Sequence, residues 1–134
     1  MKPKVIVLED DDASRKLISL VLQQNGYEVI SAPDPTACPL YTHLEERCTK
    51  EHPCCDFLLT DNRMPNMTGL EFIEVQSQRG CKAKAENKAV MSGSWTQEER
   101  DKAHQLGCKI FKKPYRMNEI LAWLTEQKRK LYQD

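Results

Sequence analysis

The chain has 134 residues, enough for one domain with a real hydrophobic core and too few for two. Its 20 basic and 20 acidic side chains cancel, so no global field selects nucleic acid or a membrane surface. No apolar run approaches the roughly 20 residues that cross a bilayer. Only four apolar residues follow Met1-Lys2-Pro3-Lys4 before acids begin, so no secretory signal is expected, and the expectation is a soluble, cytoplasmic protein.

Val5-Ile6-Val7-Leu8 is a continuous apolar strand, and Glu9-Asp10-Asp11-Asp12 follows it at once. Asp11 and Asp12 can cap the next helix and meet its positive end, which accounts for two of the four acids. Glu9 and Asp10 sit at the strand tip, where capping is a poorer account. The helix runs from about Ala13 to Asn25, with Leu17, Ile18, Val21 and Leu22 on one face and Gly26 closing it.

Val29 to Ser31 reads as a second strand. Residues 32–53 are the least regular stretch. Pro33, Pro35 and Pro39 prevent a helix before about Leu40, and a helix from Leu40 to Thr49 is expected. Phe57 to Thr60 is too short for a helix and reads as a buried third strand, with Asp61 at its carboxyl end.

A loop of Asn, Pro and Gly comes next. From Gly69, with Leu70, Phe72 and Ile73, another helix runs to near Gly80, and Cys81 to Asn87 reads as a loop. Lys88 to Ser92 is a fourth strand. Thr96-Gln97-Glu98-Glu99 is a capping box opening a polar helix that Gly107 ends. Cys108 to Lys112 is a fifth strand terminating in Lys113-Pro114, and the last helix carries Ile120, Leu121 and Leu124 at core spacing with Trp123 on a flank. Five alternations of strand and helix predict an α/β fold, a parallel sheet with helices on both faces.

Six cysteines are many for such a domain: Cys38, Cys48, Cys54, Cys55, Cys81 and Cys108. His43 and His52 lie among the first four, so a zinc site is conceivable there. No C-x-x-C pair occurs, and the spacing favours reduced thiols spread over helix and strand edges.

In a doubly wound sheet all strands deliver their carboxyl ends to one edge. That edge would carry Glu9, Asp10, Asp61, Ser92 and Lys113. Three carboxylates close together cannot all stay ionised without a hard cation, and Mg2+ fits oxygen ligands. One carboxylate can then act as nucleophile toward a phosphoryl group, giving an aspartyl phosphate. A lysine ammonium and a serine hydroxyl supply donors to the phosphoryl oxygens, and Gly93 leaves room beside them.

Over essentially its whole length the sequence resembles a response-regulator receiver domain, the phosphoacceptor of two-component signalling. Glu9-Asp10 resembles the acidic pair, with Arg15 where an Arg is common. Asp61 with Met64-Pro65-Asn66-Met67-x-Gly69 resembles the acceptor loop, the most specific of these matches. Ser92-Gly93 takes the place of Thr/Ser plus a small residue, and Lys113-Pro114-Tyr115 that of Lys-Pro-aromatic. The resemblance implies a flavodoxin-like five-stranded sheet of order 2-1-3-4-5. It implies that Asp10 and Asp61 ligate Mg2+ directly, Glu9 through water, and the Arg63 carbonyl as a further ligand. Asp61, Lys113 and Ser92 would carry the chemistry. Arg63 and Ser94 would face the path of the attacking water.

The resemblance further implies a phosphoryl donor, a histidine kinase or histidine phosphotransfer protein, and a downstream protein target. Neither nucleic acid nor membrane is expected as a partner. The chain is expected to be a receiver over 1–134 with no output domain, and not an enzyme beyond its own phosphorylation and dephosphorylation. Two departures stand out. The join between strands two and three is longer than usual by roughly seven residues. The step from Gly107 to Lys113 is one residue short, which places Ile110 at the switch position with Phe111 beside it. Two other functions compete: a pseudo-receiver that binds partners without phosphorylation, and a small phosphatase of the haloacid-dehalogenase type reading Asp10-x-Asp12 as its motif.

Overall fold

The computed structural model describes residues 2–33, 55–64 and 67–132. The expected helix over 40–49, the three cysteines before Cys55, and His43 and His52 lie outside the described residues.

Five strands form one parallel sheet: β1 (Lys4–Leu8), β2 (Glu28–Ala32), β3 (Phe57–Asp61), β4 (Lys88–Ser92) and β5 (Lys109–Lys112). Their spatial order is β2-β1-β3-β4-β5, and all four pairings are parallel. Among the described residues, four α-helices connect or flank them: α1 (Asp12–Gln24), α2 (Gly69–Gln78), α3 (Gln97–Leu106) and α4 (Met117–Leu131). No described helix is long and apolar enough to cross a membrane.

Successive residues of a strand face opposite sides, so a strand covered on both faces is apolar throughout. Val5 and Val7 of β1 face one way with Phe57, Leu59 and Met91, where Ile18 and Leu22 of α1 and Ile120 and Leu124 of α4 close over them. Ile6 and Leu8 face the other way with Leu58 and Val90, under Phe72 and Ile73 of α2 and Ala103 of α3. Trp123 is more than a flank residue. It packs against the first of these cores and meets Phe57 and Phe111 edge-on, with centroids 6.3 and 6.0 Å away. Edge-to-face pairs of this kind add about 1 kcal/mol each beyond the area they bury.

The loop expected over 81–87 contains one turn of 3-10 helix, Ala85–Asn87. The expected punctuation of α3 is present in full. Thr96 and Glu99 form a reciprocal capping box, and Gly107 ends the helix at φ 82°, a conformation that a Cβ would strain. Gly69 is required for a different reason: a Cβ there would lie 2.7 Å from the Asp61 carbonyl oxygen and 2.9 Å from Thr60 Cγ2. Helix α2 therefore starts against the backbone of the acidic strand end.

Candidate functional site

The backbone of Glu9 stays sheet-like past the end of β1, its N–H donating to the Ala32 carbonyl at 3.1 Å. This turns the Glu9 side chain inward, where the residue is only 2 % exposed. Asp11 then caps α1 by accepting from the Ser14 N–H at 2.9 Å. From the first turn of that helix Arg15 reaches back, donating to the Glu9 carbonyl at 2.8 Å and to Asp12 Oδ1 at 2.5 Å. The strand tip is thus tied to β2 on one side and to α1 on the other.

Asp61 ends β3 and is 5 % exposed. One carboxylate oxygen from each of Glu9, Asp10 and Asp61 lies within 4.8 Å of the others. Lys113, just past β5, bridges two of them, with Nζ 2.9 Å from Asp61 Oδ1 and 3.3 Å from Glu9 Oε2. Burial, then the neighbouring Asp61 charge, pushes the Glu9 carboxyl above its ordinary value, against the pull of Lys113. Burial also pushes Asp61 upward; its bond to Lys113 opposes this, and Asp10 adds to it. Lys113 is raised in turn: burial would lower it, but Asp61 and Glu9 outweigh that. The Tyr115 hydroxyl is pushed up to about 12, first by burial and then by the Glu9 charge. Three carboxylates face one ammonium, so negative charge is in surplus at a buried position.

Ser92 ends β4 on the same edge, and its hydroxyl is engaged within its own loop. Its hydroxyl donates to the Ser94 carbonyl at 3.0 Å and accepts from the Ser94 N–H at 3.3 Å. A Cβ on Gly93 would meet nothing within 4 Å, so space beside Ser92 is open. Arg63 and Ser94 meet each other, Arg63 Nη2 donating to Ser94 Oγ at 2.9 Å. Ile110 packs on the sheet face shared with Trp95 and Leu106, whereas Phe111 is buried on the opposite face.

The sequence reading passed over two residues here. Asn62 is buried directly behind Asp61 and donates from Nδ2 to Glu99 Oε2 at 2.9 Å. Glu99 was legible as a capping residue of α3 but not as a contact of the acidic loop. The bond spans 37 positions, and no local pattern announces it.

A family model describing the response regulator receiver domain matches residues 5–125. The chain belongs to the response-regulator receiver family. It is 24 % identical over 132 residues to the phosphate regulon transcriptional regulatory protein PhoB of Klebsiella pneumoniae, covering 98 % of this chain and 54 % of that protein. The chain therefore spans about half the length of that curated relative. The Vibrio cholerae chemotaxis protein CheY4 superposes with a TM-score of 0.71 at 26 % identity, covering 94 % of this chain and 98 % of that one. A Francisella response-regulator receiver domain shares the fold, with a TM-score of 0.78 at 18 % identity over 97 % of this chain and 99 % of that one. The order 2-1-3-4-5 expected for a receiver is the order observed.

Receiver domains typically bind Mg2+ at an acidic cluster, and the residues of this one fit a hard divalent cation. The donors are all oxygens, and two of the three carboxylates are buried with more negative charge than Lys113 offsets.

Proposed function

We propose that this chain is a phosphoacceptor, taking a phosphoryl group on Asp61 from the phosphohistidine of a histidine kinase or histidine phosphotransfer protein. What carries the reading is a buried strand-end carboxylate 2.9 Å from a lysine ammonium and beside two further acids. Glu9, Asp10, Asp61 and the carbonyl of Arg63 would hold Mg2+, which when bound neutralises charge on the carboxylates and on the incoming phosphoryl oxygens.

An oxygen of Asp61 attacks phosphorus. The P–N bond to the donor imidazole breaks, and its electron pair goes to the ring nitrogen. Lys113 stays charged throughout and offers its ammonium to a non-bridging oxygen, since phosphoryl transfer depends mainly on positioning and charge neutralisation. To reach the phosphoryl group, the Ser92 hydroxyl gives up the Ser94 carbonyl it now holds. That exchange moves the loop between β4 and α3, which is how the state of Asp61 becomes visible to a protein partner. Hydrolysis reverses the account: water attacks phosphorus, the Asp61 carboxylate is restored, and inorganic phosphate leaves. Leu17 and Leu20, both exposed on α1, would offer a protein donor an apolar surface.

The test is intact mass after incubation with acetyl phosphate and Mg2+, for wild type and Asp61→Ala. A Mg2+-dependent increment of one phosphoryl group is expected in wild type alone. A folded wild type that takes up nothing would instead place the chain among binding modules that work without phosphorylation.

A further inference from the structure

Asn62 is 2 % exposed, and each of its polar groups is engaged. Its N–H donates to the Met91 carbonyl at 2.8 Å, and its own carbonyl accepts from the Gly69 N–H at 2.9 Å. Its Oδ1 accepts from the Leu70 N–H at 3.3 Å, and Nδ2 donates to Glu99 Oε2. Gly69 and Leu70 are the first two residues of α2. The Glu71 N–H goes to Thr68 Oγ1, and the N–H of the cap residue Thr68 goes to Glu71 Oε1. The four donors that a helix start leaves without intrahelical partners are thus all held, two of them by Asn62.

Its remaining partner is charged. Glu99 splits its carboxylate: Oε1 accepts from the Thr96 N–H at 2.9 Å, and Oε2 takes Asn62. The Thr96 backbone bond, with help from Asn62 and the nearby Arg63 charge, holds this carboxyl below its ordinary value. The Asn62–Glu99 contact is therefore a charge-assisted bond, stronger than one between neutral groups. It joins the loop that carries Asp61 to the first turn of α3, which follows the loop from Ser92.

We propose that Asn62 is the positioning residue of the acceptor loop and that Glu99 anchors it, so that one hydrogen bond sets both the reactivity of Asp61 and the seat of α3. This rests on the phosphoacceptor reading and adds a route that bypasses Ser92. Because coupling between sites is reciprocal, a partner that shifts the first turn of α3 changes the acceptor, and a change at the acceptor is felt in α3.

Glu99→Gln isolates the bond. The variant keeps an oxygen for the Thr96 N–H but presents an NH2 group to the Asn62 NH2, donor against donor. Turning the Asn62 amide over would sacrifice its bond to Leu70. Phosphorylation by acetyl phosphate should slow about tenfold in Glu99→Gln, in line with losing one charged hydrogen bond. Asn62→Ala should slow it at least as much, and the double variant no more than Asn62→Ala alone. Thr96→Ala, which weakens the same helix start without removing the Asn62 bond, should leave the rate near wild type.

A second arm needs no phosphoryl group. Hydrogen exchange at the Gly69 and Leu70 amides should quicken in Glu99→Gln, although neither residue touches Glu99. Unchanged exchange there, additive rate losses in the double variant, or equal slowing in Thr96→Ala would each overturn the proposal. Absence of any adduct in wild type would count against the phosphoacceptor reading, while the exchange arm would still decide the positioning role.

Discussion

The two ends of the sheet bury polar groups for opposite reasons. At the carboxyl ends of the strands, Glu9 and Asp61 are buried as acids whose charge Lys113 offsets only in part. At the amino ends, Asn87 and Gln127 are buried as neutral amides that satisfy one another. Gln127 of α4 donates to Asn87 Oδ1 at 2.9 Å and to the Glu86 carbonyl at 3.0 Å. Even Lys88, 1 % exposed at the start of β4, finds Gln76 Oε1 at 2.8 Å. One end stores electrostatic stress, and the other closes the fold.

The sharpest break in that contrast is Asp61→Asn. It should abolish the phosphoryl adduct and yet stabilise the metal-free protein near neutral pH. The sign follows from burial. The folded state raises the Asp61 pKa, so the unfolded chain gives up its proton first as pH rises. The favourable contribution of the protonated form is complete below the unfolded value, roughly 3.9, and is lost as pH climbs through the raised folded value. Glu9 follows the same direction. Urea unfolding in chelator at pH 4 and pH 7 should therefore show the Asn variant gaining on wild type at the higher pH only. An advantage that was equal at both pH values would mean that the acids are not under stress.

The opposite end gives the opposite outcome. Gln127→Leu removes both donations and leaves the Asn87 oxygen buried without the Gln127 donor. It should cost about 1–3 kcal/mol, measured by urea unfolding, with phosphorylation of the folded fraction unchanged. A matching loss of phosphorylation rate would show that the two ends are not separate.

What the sequence disclosed follows the range of the forces involved. Strand β4 was legible residue for residue because an apolar run is bounded by polar turns, and α3 was legible because its cap and its terminating glycine are local. Asp61 stood out because a carboxylate at the end of a buried strand is expensive and therefore informative. Trp123 looked peripheral because helical spacing gives the core to Ile120 and Leu124. Only the fold reveals that Phe57 and Phe111 extend to meet it. Asn62 and Glu99 were hidden for the same reason, since each looks locally complete, one as a turn residue and the other as a cap. Ser92 was placed on the correct edge, but its present bond to the Ser94 carbonyl belongs to loop geometry that composition does not encode.

The smallest expected effect belongs to the rim of the acidic edge. Arg63, two residues past Asp61, and Ser94, two past Ser92, are both exposed, and their 2.9 Å bond closes the gap between the two loops. If Asp61 carries a phosphoryl group as proposed, these two positions would face the path of the attacking water. Arg63→Ala removes the guanidinium that fills it and should shorten the phosphoryl lifetime. An exposed contact contributes only about 0.2–1 kcal/mol, which corresponds to a change of up to about fivefold in rate. Ser94→Ala should act in the same direction and more weakly, because the Arg63 side chain remains to obstruct the path. Decay of the phosphorylated protein, followed by intact mass after removing acetyl phosphate, measures both variants. A lifetime unchanged in Arg63→Ala would mean that water reaches phosphorus by another side, leaving the Arg63–Ser94 pair a surface contact and the chemistry confined to the buried acids below it.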